Sequence, residues 1–519
     1  MRGRRWLGVA IVAFWAAMVG WQARREYFQP ELARLTEAAR SLAPGVYFYT
    51  LEMSERAIGL ASSRLDTVPE GFVLEDLLNL ELPALGQTGA AVARTRVDLG
   101  PALTMRGFDF SLDSELGRFA AAGRVDGDSL LQVEVRSGGS VQNVDYRFGD
   151  TPLAAAALPI RVAVGGELEV GARHRLPMFD PSTLATRTVD VEVLAHDTLA
   201  FPDSAWFDPA TARWVPARWD SVPAWKVAEA FGGVRIESWI DEDGRILEAS
   251  SPLGFTMRRT EFELARQALE EARGLDATVV DDDVILATAI QSDVDLEAIE
   301  AQGELRVRLS GVDLEGFALD GGRQTLRGDT LIVRREDWDA LRADYTLPYK
   351  RMDRTAELAP EPLIQSADER IQRAARRATN WGTSWTHDPK RVARQLTNHV
   401  YHLLDKRITV SVPSAVQVLE AEQGDCNEHT VLFVAMARAL GLPARTAVGL
   451  VYVNGAFFYH AWPEVWIDDW VAVDPTFGQY PADASHLRFV VGGLAQQVDI
   501  VRLIGRLQIE VLPSPASGE

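Results

Sequence analysis

The 519-residue chain has one cysteine, Cys426, in the stretch QGDCNEHTVLFVAMARALGLPAR over 423–445. A lone cysteine excludes an intrachain disulfide and leaves two uses, a reactive thiol or a small buried hydrophobe. Gly424 permits a tight turn and Asp425 can cap a helix, so Cys426 falls in a first helical turn. Free N–H groups and the helix dipole at that position favour a thiolate. A thiolate needs a partner to hold and deliver a proton. His460, in NGAFFYHAWPEVW, can serve, and Asp474, in WVAVDPTFG, can orient the far imidazole nitrogen. Cys426, His460 and Asp474 together have the residue types for nucleophilic attack on an amide carbonyl. Trp462, on the strand face of His460, can exclude water. His429, three residues after Cys426, can tune the thiolate, pair with Glu428 or simply pack. Cys426-x-x-His429 with His460 and Asp474 also offers the ligand types for zinc. Zinc would quench the nucleophile, and the expectation is no metal and no cofactor.

These residues need particular elements to position them. Helical patterns cover 366–379 and 388–405, the latter with the stripe Val392, Leu396, Val400, Leu403 and Leu404. Ser414 can cap a short helix before the one that opens near Cys426. Gly441 ends that helix and Pro443 prevents a restart. Strands are expected at 444–453, 456–467 and 470–474. A strict two-residue turn at Asp468-Asp469 would pair position 474 with 463 and turn Asp474 away from His460. A longer turn corrects the parity, and a bulge or strong coiling near 466–471 is needed to close the distance.

The motifs GDCNEHTVLFVAMARALGLPAR, HAWPEVW and WVAVDPTFG, in that order, resemble the transglutaminase-like superfamily over about residues 365–495. The Cys–His spacing of 34 and the His–Asp spacing of 14 resemble its compact bacterial members. The resemblance implies an α+β, papain-like domain with the cysteine helix packed on an antiparallel sheet. It also implies Cys426, His460 and Asp474 in the catalytic positions and acyl transfer through a thioester. Transamidation, amide hydrolysis and peptidase action all fit, with a protein or peptide as substrate. Some relatives have lost activity. The rival expectation is a non-catalytic, membrane-anchored interaction protein using this fold and its β-rich domains to bind protein or cell-wall partners.

The rest of the chain frames that domain. Residues 6–21 are sixteen apolar residues, eighteen with Gln22 and Ala23, roughly 27 Å as helix. Flanking Arg and Trp suggest a single-pass anchor within 1–25, with a cleaved signal as the alternative. The bulk of the chain would then lie on the periplasmic side of the inner membrane. Residues 26–275 read as a β-rich domain and 276–360 as a smaller β-rich unit. Residues 361–519 read as the transglutaminase-like domain with a final strand. Segment 201–226, with four Trp and four Pro, reads as a turn-rich aromatic stretch. Residues 258–274 read as helix. A net charge of -21 excludes a broad nucleic-acid-binding surface, and oligomeric state is left open.

Overall fold

The computed structural model describes residues 31–513 apart from 54, 85–86, 128, 150–151, 167, 232–233, 252–253, 274–288, 293, 297–302, 383–386 and 408–410. Its architecture is α+β with mixed sheets. Fifteen strands between Gly45 and Thr260 form one sheet, mostly an antiparallel meander, with a parallel pairing of Leu153–Ala154 on Arg173–Asp180 at one edge. Strands far apart in that order share one core. Leu74, Val97, Phe108 and Phe119 pack in a single cluster with Phe179, Val191, Val227 and Ile240. The sheet therefore curls around the helix Leu158–Val164, whose Leu158, Ile160 and Val162 sit in the same cluster. Its two ends approach through aromatic contacts, Tyr146 to Phe179 at 5.5 Å. The turn at Gly244 lies against this helix. With φ at +78° a side chain there would be strained, and a Cβ would come within 2.5 Å of the Ile160 Cα.

The aromatic stretch 201–226 is not turn-rich. It belongs to one long hairpin, Ala185–Asp208 against Arg213–Phe231. Its prolines look like breakers in sequence, but register shifts around Pro202 and Ser204 absorb part of the mismatch. Trp206 and Trp219 stay exposed on it, at 48% and 60%. The helix expected over 258–274 starts later, at Phe262, because Phe255–Thr260 is recruited as a strand beside Gly45–Met53.

A four-stranded sheet follows, in which Glu304–Ser310 pairs with both Thr330–Arg334 and the final strand Gln508–Leu512. A five-stranded sheet is built on Ala444–Val453 and Ala456–Trp466, flanked by Leu487–Val491, Trp470–Ala472 and Ile290–Gln291. Four capped helices cover it: Glu369–Ala378, Pro389–Leu403, Ala415–Ala421 and Cys426–Ala439. The last is buried from Glu428 to Arg438, as a central helix must be.

The curled sheet docks on this helical face through buried polar contacts. Ser137 Oγ donates to Gln417 Oε1 at 2.6 Å, and Gln365 Nε2 donates to the Ser137 carbonyl at 3.0 Å. Ser140 Oγ donates to Asp368, which also carries the Arg370 guanidinium.

The expected membrane helix lies outside the described residues. Among those described, no helix is long and apolar enough to cross a membrane. The longest, Pro389–Leu403 with 15 residues, spans roughly 22 Å against a bilayer core of about 30 Å. The expected fold class with its N-terminal membrane helix, the single-pass inner-membrane association and the periplasmic placement are corrected accordingly: no described element supports them.

Candidate functional site

Gly424, at φ +155°, opens the Cys426 helix. A Cβ there would come within 2.2 Å of the Glu428 side chain, which folds back over the turn. Glu428 Oε2 accepts from the Asp425 N–H at 2.9 Å, and Asp425 Oδ1 accepts from the Asn427 N–H at 2.8 Å. This capping box satisfies two helix-end donors. It also places two carboxyl groups where the thiolate was expected to profit from the dipole. Cys426 is partly buried against the core that holds Leu450 and Phe457. Burial pushes its thiol well above the usual range, and Asp425, Glu428 and Asp474 push it further; the Ala461 N–H alone favours the charged form. The helix-start rule fails here because burial, reinforced by the flanking acids, outweighs the dipole.

His460 sits on the strand Ala456–Trp466, paired opposite Gly449. The following hairpin has a three-residue turn, since Trp466 pairs with Trp470. That length puts position 474 on the face of His460, correcting the parity problem without a bulge. The strand ends at Ala472, and Asp474 opens a turn bridged to Gln479. His460 Nε2 and Asp474 Oδ2 are 2.6 Å apart.

Asp474 does not serve His460 alone. Its Oδ2 also accepts from His486 Nε2 at 2.9 Å, and its Oδ1 accepts from the N–H groups of Thr476 and Phe477 at 2.6 and 3.1 Å. Four donors occupy one fully buried carboxylate. His486 Nδ1 in turn donates to Asp483 Oδ1 at 3.1 Å. Burial works against charge on His486, but the two carboxylates win and raise it to about 9. Burial likewise opposes the charge on Asp474 and Asp483, yet their imidazole partners hold both well below the usual carboxylate range. The result is a sealed chain, His460–Asp474–His486–Asp483. Neither His486 nor Asp483 was singled out from sequence, although the Asp-x-x-His spacing in DASH was available.

Trp462 stacks on His460 with centroids 6.1 Å apart and meets His486 edge-on at 5.1 Å. Phe477 covers the other side of His460 at 5.0 Å. His429 is fully buried, with Nδ1 2.7 Å from the Asp425 carbonyl oxygen, and burial lowers its pKa. Glu464 is committed to Arg445 and Arg488.

The side chains that converge are thus His460, Asp474 and His486, and Cys426 is not among them. Among the described residues no His or Asp side chain is hydrogen-bonded to Cys426. The expected Cys-centred triad, the papain-like description and the thiol-dependent acyl transfer or hydrolysis, with its protein or peptide substrate, are corrected on this ground. The converging trio has ligand types for a metal within 4.8 Å. Its atoms, however, lie at hydrogen-bond separations of 2.6 and 2.9 Å, closer than two ligands on one ion at about 2 Å would sit, and His486 favours its proton. The residues fit a proton-linked cluster and not a metal centre.

No curated protein matches this chain. Among solved structures, similarity is found to a putative cysteine protease from Cytophaga hutchinsonii. Identity is 17%, over 40% of this chain and 83% of that one, with a TM-score of 0.28. A beta-barrel-like protein of a domain of unknown function from Brucella abortus matches at 14% identity, over 42% of this chain and 95% of that one, with a TM-score of 0.30. At these scores neither carries an argument about function. The family model described as the transglutaminase-like superfamily matches residues 372–475, a partial match over that segment of the chain.

Proposed function

We propose that the protein is a non-catalytic interaction protein, in which a transglutaminase-like domain and a β-rich body form one scaffold for protein or cell-wall partners. The observation that carries this reading is the state of Cys426. Burial, with three carboxyl groups adding to it, pushes its thiol well above the usual range, while Asp474, the group that would orient a catalytic imidazole, is divided between two. On this reading Cys426, His460 and Asp474 retain their positions in the fold without acting as a nucleophilic set. Trp462 and His429 pack the region.

The surface available for partners supports the same reading. Trp206, Phe207 and Trp219 are exposed on the long hairpin, and rigid aromatic side chains are common anchors in protein interfaces. The division into a body over 26–275, a smaller unit over 276–360 and a domain over 361–519 is part of this proposal. The four-stranded sheet and the His460 sheet share one hydrophobic core, which ties the last two units together.

Alkylation of Cys426 tests the proposal. Iodoacetamide at neutral pH is expected to label the wild-type chain no faster than an ordinary thiol, with the same rate in His460→Ala. Fast labelling that His460→Ala slows strongly would overturn it.

A further inference from the structure

The curled sheet lines an open-mouthed cavity of about 320 Å³, away from the Cys426 region. This is within the range in which proteins hold small molecules, ~300–1,000 Å³. Its wall is mostly apolar, with Leu65, Leu74, Leu78, Ile160, Ile236 and Met257 contributing. Strand register explains the composition. Leu65 lies opposite Leu74, and Ser63 lies between Tyr47 and Asp76 in one rung across three strands. On the other wall Ser238 lies between Val227 and Ala249, while Glu229 lies opposite Ile236.

Three polar side chains on this wall are poorly matched to their surroundings. Ser238 is 3% exposed, and its Oγ has no hydrogen-bond partner. Asp76 Oδ1 is buried without a partner, and the Ser63 hydroxyl is the group that hydrogen-bonds this carboxyl. Among the described residues neither Asp76 nor Glu229 has an ion-pair partner. The cations nearby are committed elsewhere. Arg245 pairs with Asp243 at 3.0 Å and lies over the Tyr47 ring, and Arg259 lies over Tyr47 and Phe201. Asp241 accepts from the N–H groups of Asp243 and Arg245. The uncompensated charges of the cavity are therefore negative.

We propose that this cavity binds a small amphipathic amine, with its aliphatic body on the Leu–Ile–Met wall and its ammonium group compensating Glu229, which neighbours the free hydroxyl of Ser238 across the strand pair. An isolated carboxylate in such a setting either takes a proton or gains a cation. Burial raises Asp76 to about 6 and Glu229 to about 7. An ammonium ligand gains most once Glu229 is ionised, so affinity rises with pH through that range. Burial raises Tyr47, Tyr49 and Asp241 as well; the two tyrosines stay neutral there. This inference is independent of the reading given to Cys426.

Calorimetric titration of the full chain with decylamine, decanol and decanoate, each below its micellar concentration, tests the proposal. At about pH 8 decylamine is expected to bind at least about tenfold more tightly than decanol, with decanoate weakest. The preference for amine over alcohol should shrink at about pH 5, where both carboxyls are protonated. The Asp76→Asn/Glu229→Gln double variant should keep decanol binding and lose the amine preference. A decanoate affinity equal to that of decylamine, an amine preference that survives the double substitution, or no decylamine binding to wild type would each overturn the proposal. Ser238→Leu, which fills the cavity, should abolish binding of all three, and unchanged binding would place the ligands elsewhere and overturn it too.

Discussion

His486 Nε2 stands 2.9 Å from Asp474 Oδ2, with both side chains fully sealed from solvent. The contact turns a carboxylate that could have served one imidazole into the centre of a larger charged chain. Around Cys426, burial comes first in raising the thiol, and the charges of Asp425, Glu428 and Asp474 add to it.

Removing His486 should therefore be costly. His486→Ala leaves Asp474 and Asp483 buried without their shared cation, and losing one partner of a buried pair costs about 3–5 kcal/mol. Chemical denaturation of the variant beside wild type measures this. The pH dependence has a definite sign. A histidine raised from 6.5 to about 9 on folding contributes stability that is complete below 6.5 and lost as pH climbs through about 9. Asp474 and Asp483 are depressed, so their contribution is present above the ordinary aspartate range and lost in strong acid. Wild-type stability should fall between about pH 6.5 and about pH 9. A profile equally steep in His486→Ala would mean that another group titrates.

Local pattern carried much of the fold. The stripe from Val392 to Leu404 is helical because its period matches a buried face, and Gly424-Asp425 marks a helix start because backbone geometry and capping leave few alternatives there. The site was less legible. Asp474 could be placed on the face of His460 only if the hairpin turn had an odd length, which Asp468-Asp469 does not reveal. His486 arrives from a separate strand approach, a tertiary fact with no local periodicity. Pro202, Pro216 and Pro223 misled in the opposite direction, since a long twisted hairpin places prolines where a short strand could not.

Glu464 is the second buried charge on which the C-terminal part depends. It holds Arg445 Nε at 2.8 Å and Arg488 Nη1 at 2.9 Å. Arg488 also donates to the carbonyls of Ala318, Asp320 and Gly321, tying the His460 sheet to the four-stranded sheet. Glu464→Ala leaves two guanidinium groups without their carboxylate and should cost about 3–5 kcal/mol, with hydrogen exchange accelerated around residues 318–321. Protection unchanged in that segment would show that Arg488 holds the loop without help from Glu464.

The cavity carboxyls should behave in reverse. Asp76 and Glu229 have folded-state values above their ordinary ones, so folding favours their protonated forms and ionisation opposes it. Asp76→Asn and Glu229→Gln should each stabilise the ligand-free chain at about pH 8, by on the order of 1–3 kcal/mol, and have little effect at about pH 4. Thermal melts across that range measure the difference. Destabilisation at the higher pH would show that these carboxylates have cationic partners in solution.

Gln417 tests how firmly the β-rich body is seated on the helical domain. It lies in the short helix Ala415–Ala421, accepts from Ser137 and Ser414 through Oε1, and donates from Nε2 to the Arg118 carbonyl at 3.1 Å. Its side chain is thus a three-way junction across the interface, and the neighbouring Gln365 makes a parallel bridge to the Ser137 carbonyl. Gln417→Ala strands the buried Ser137 hydroxyl, at about 1–3 kcal/mol, and removes the part-buried bond to the Arg118 carbonyl, which water can replace. The effect should fall on docking and not on either core. Limited proteolysis should therefore cut more readily between the two bodies, while the helical domain keeps its hydrogen-exchange protection. If protection is lost uniformly across both bodies, the interface is part of a single cooperative unit and the two do not separate.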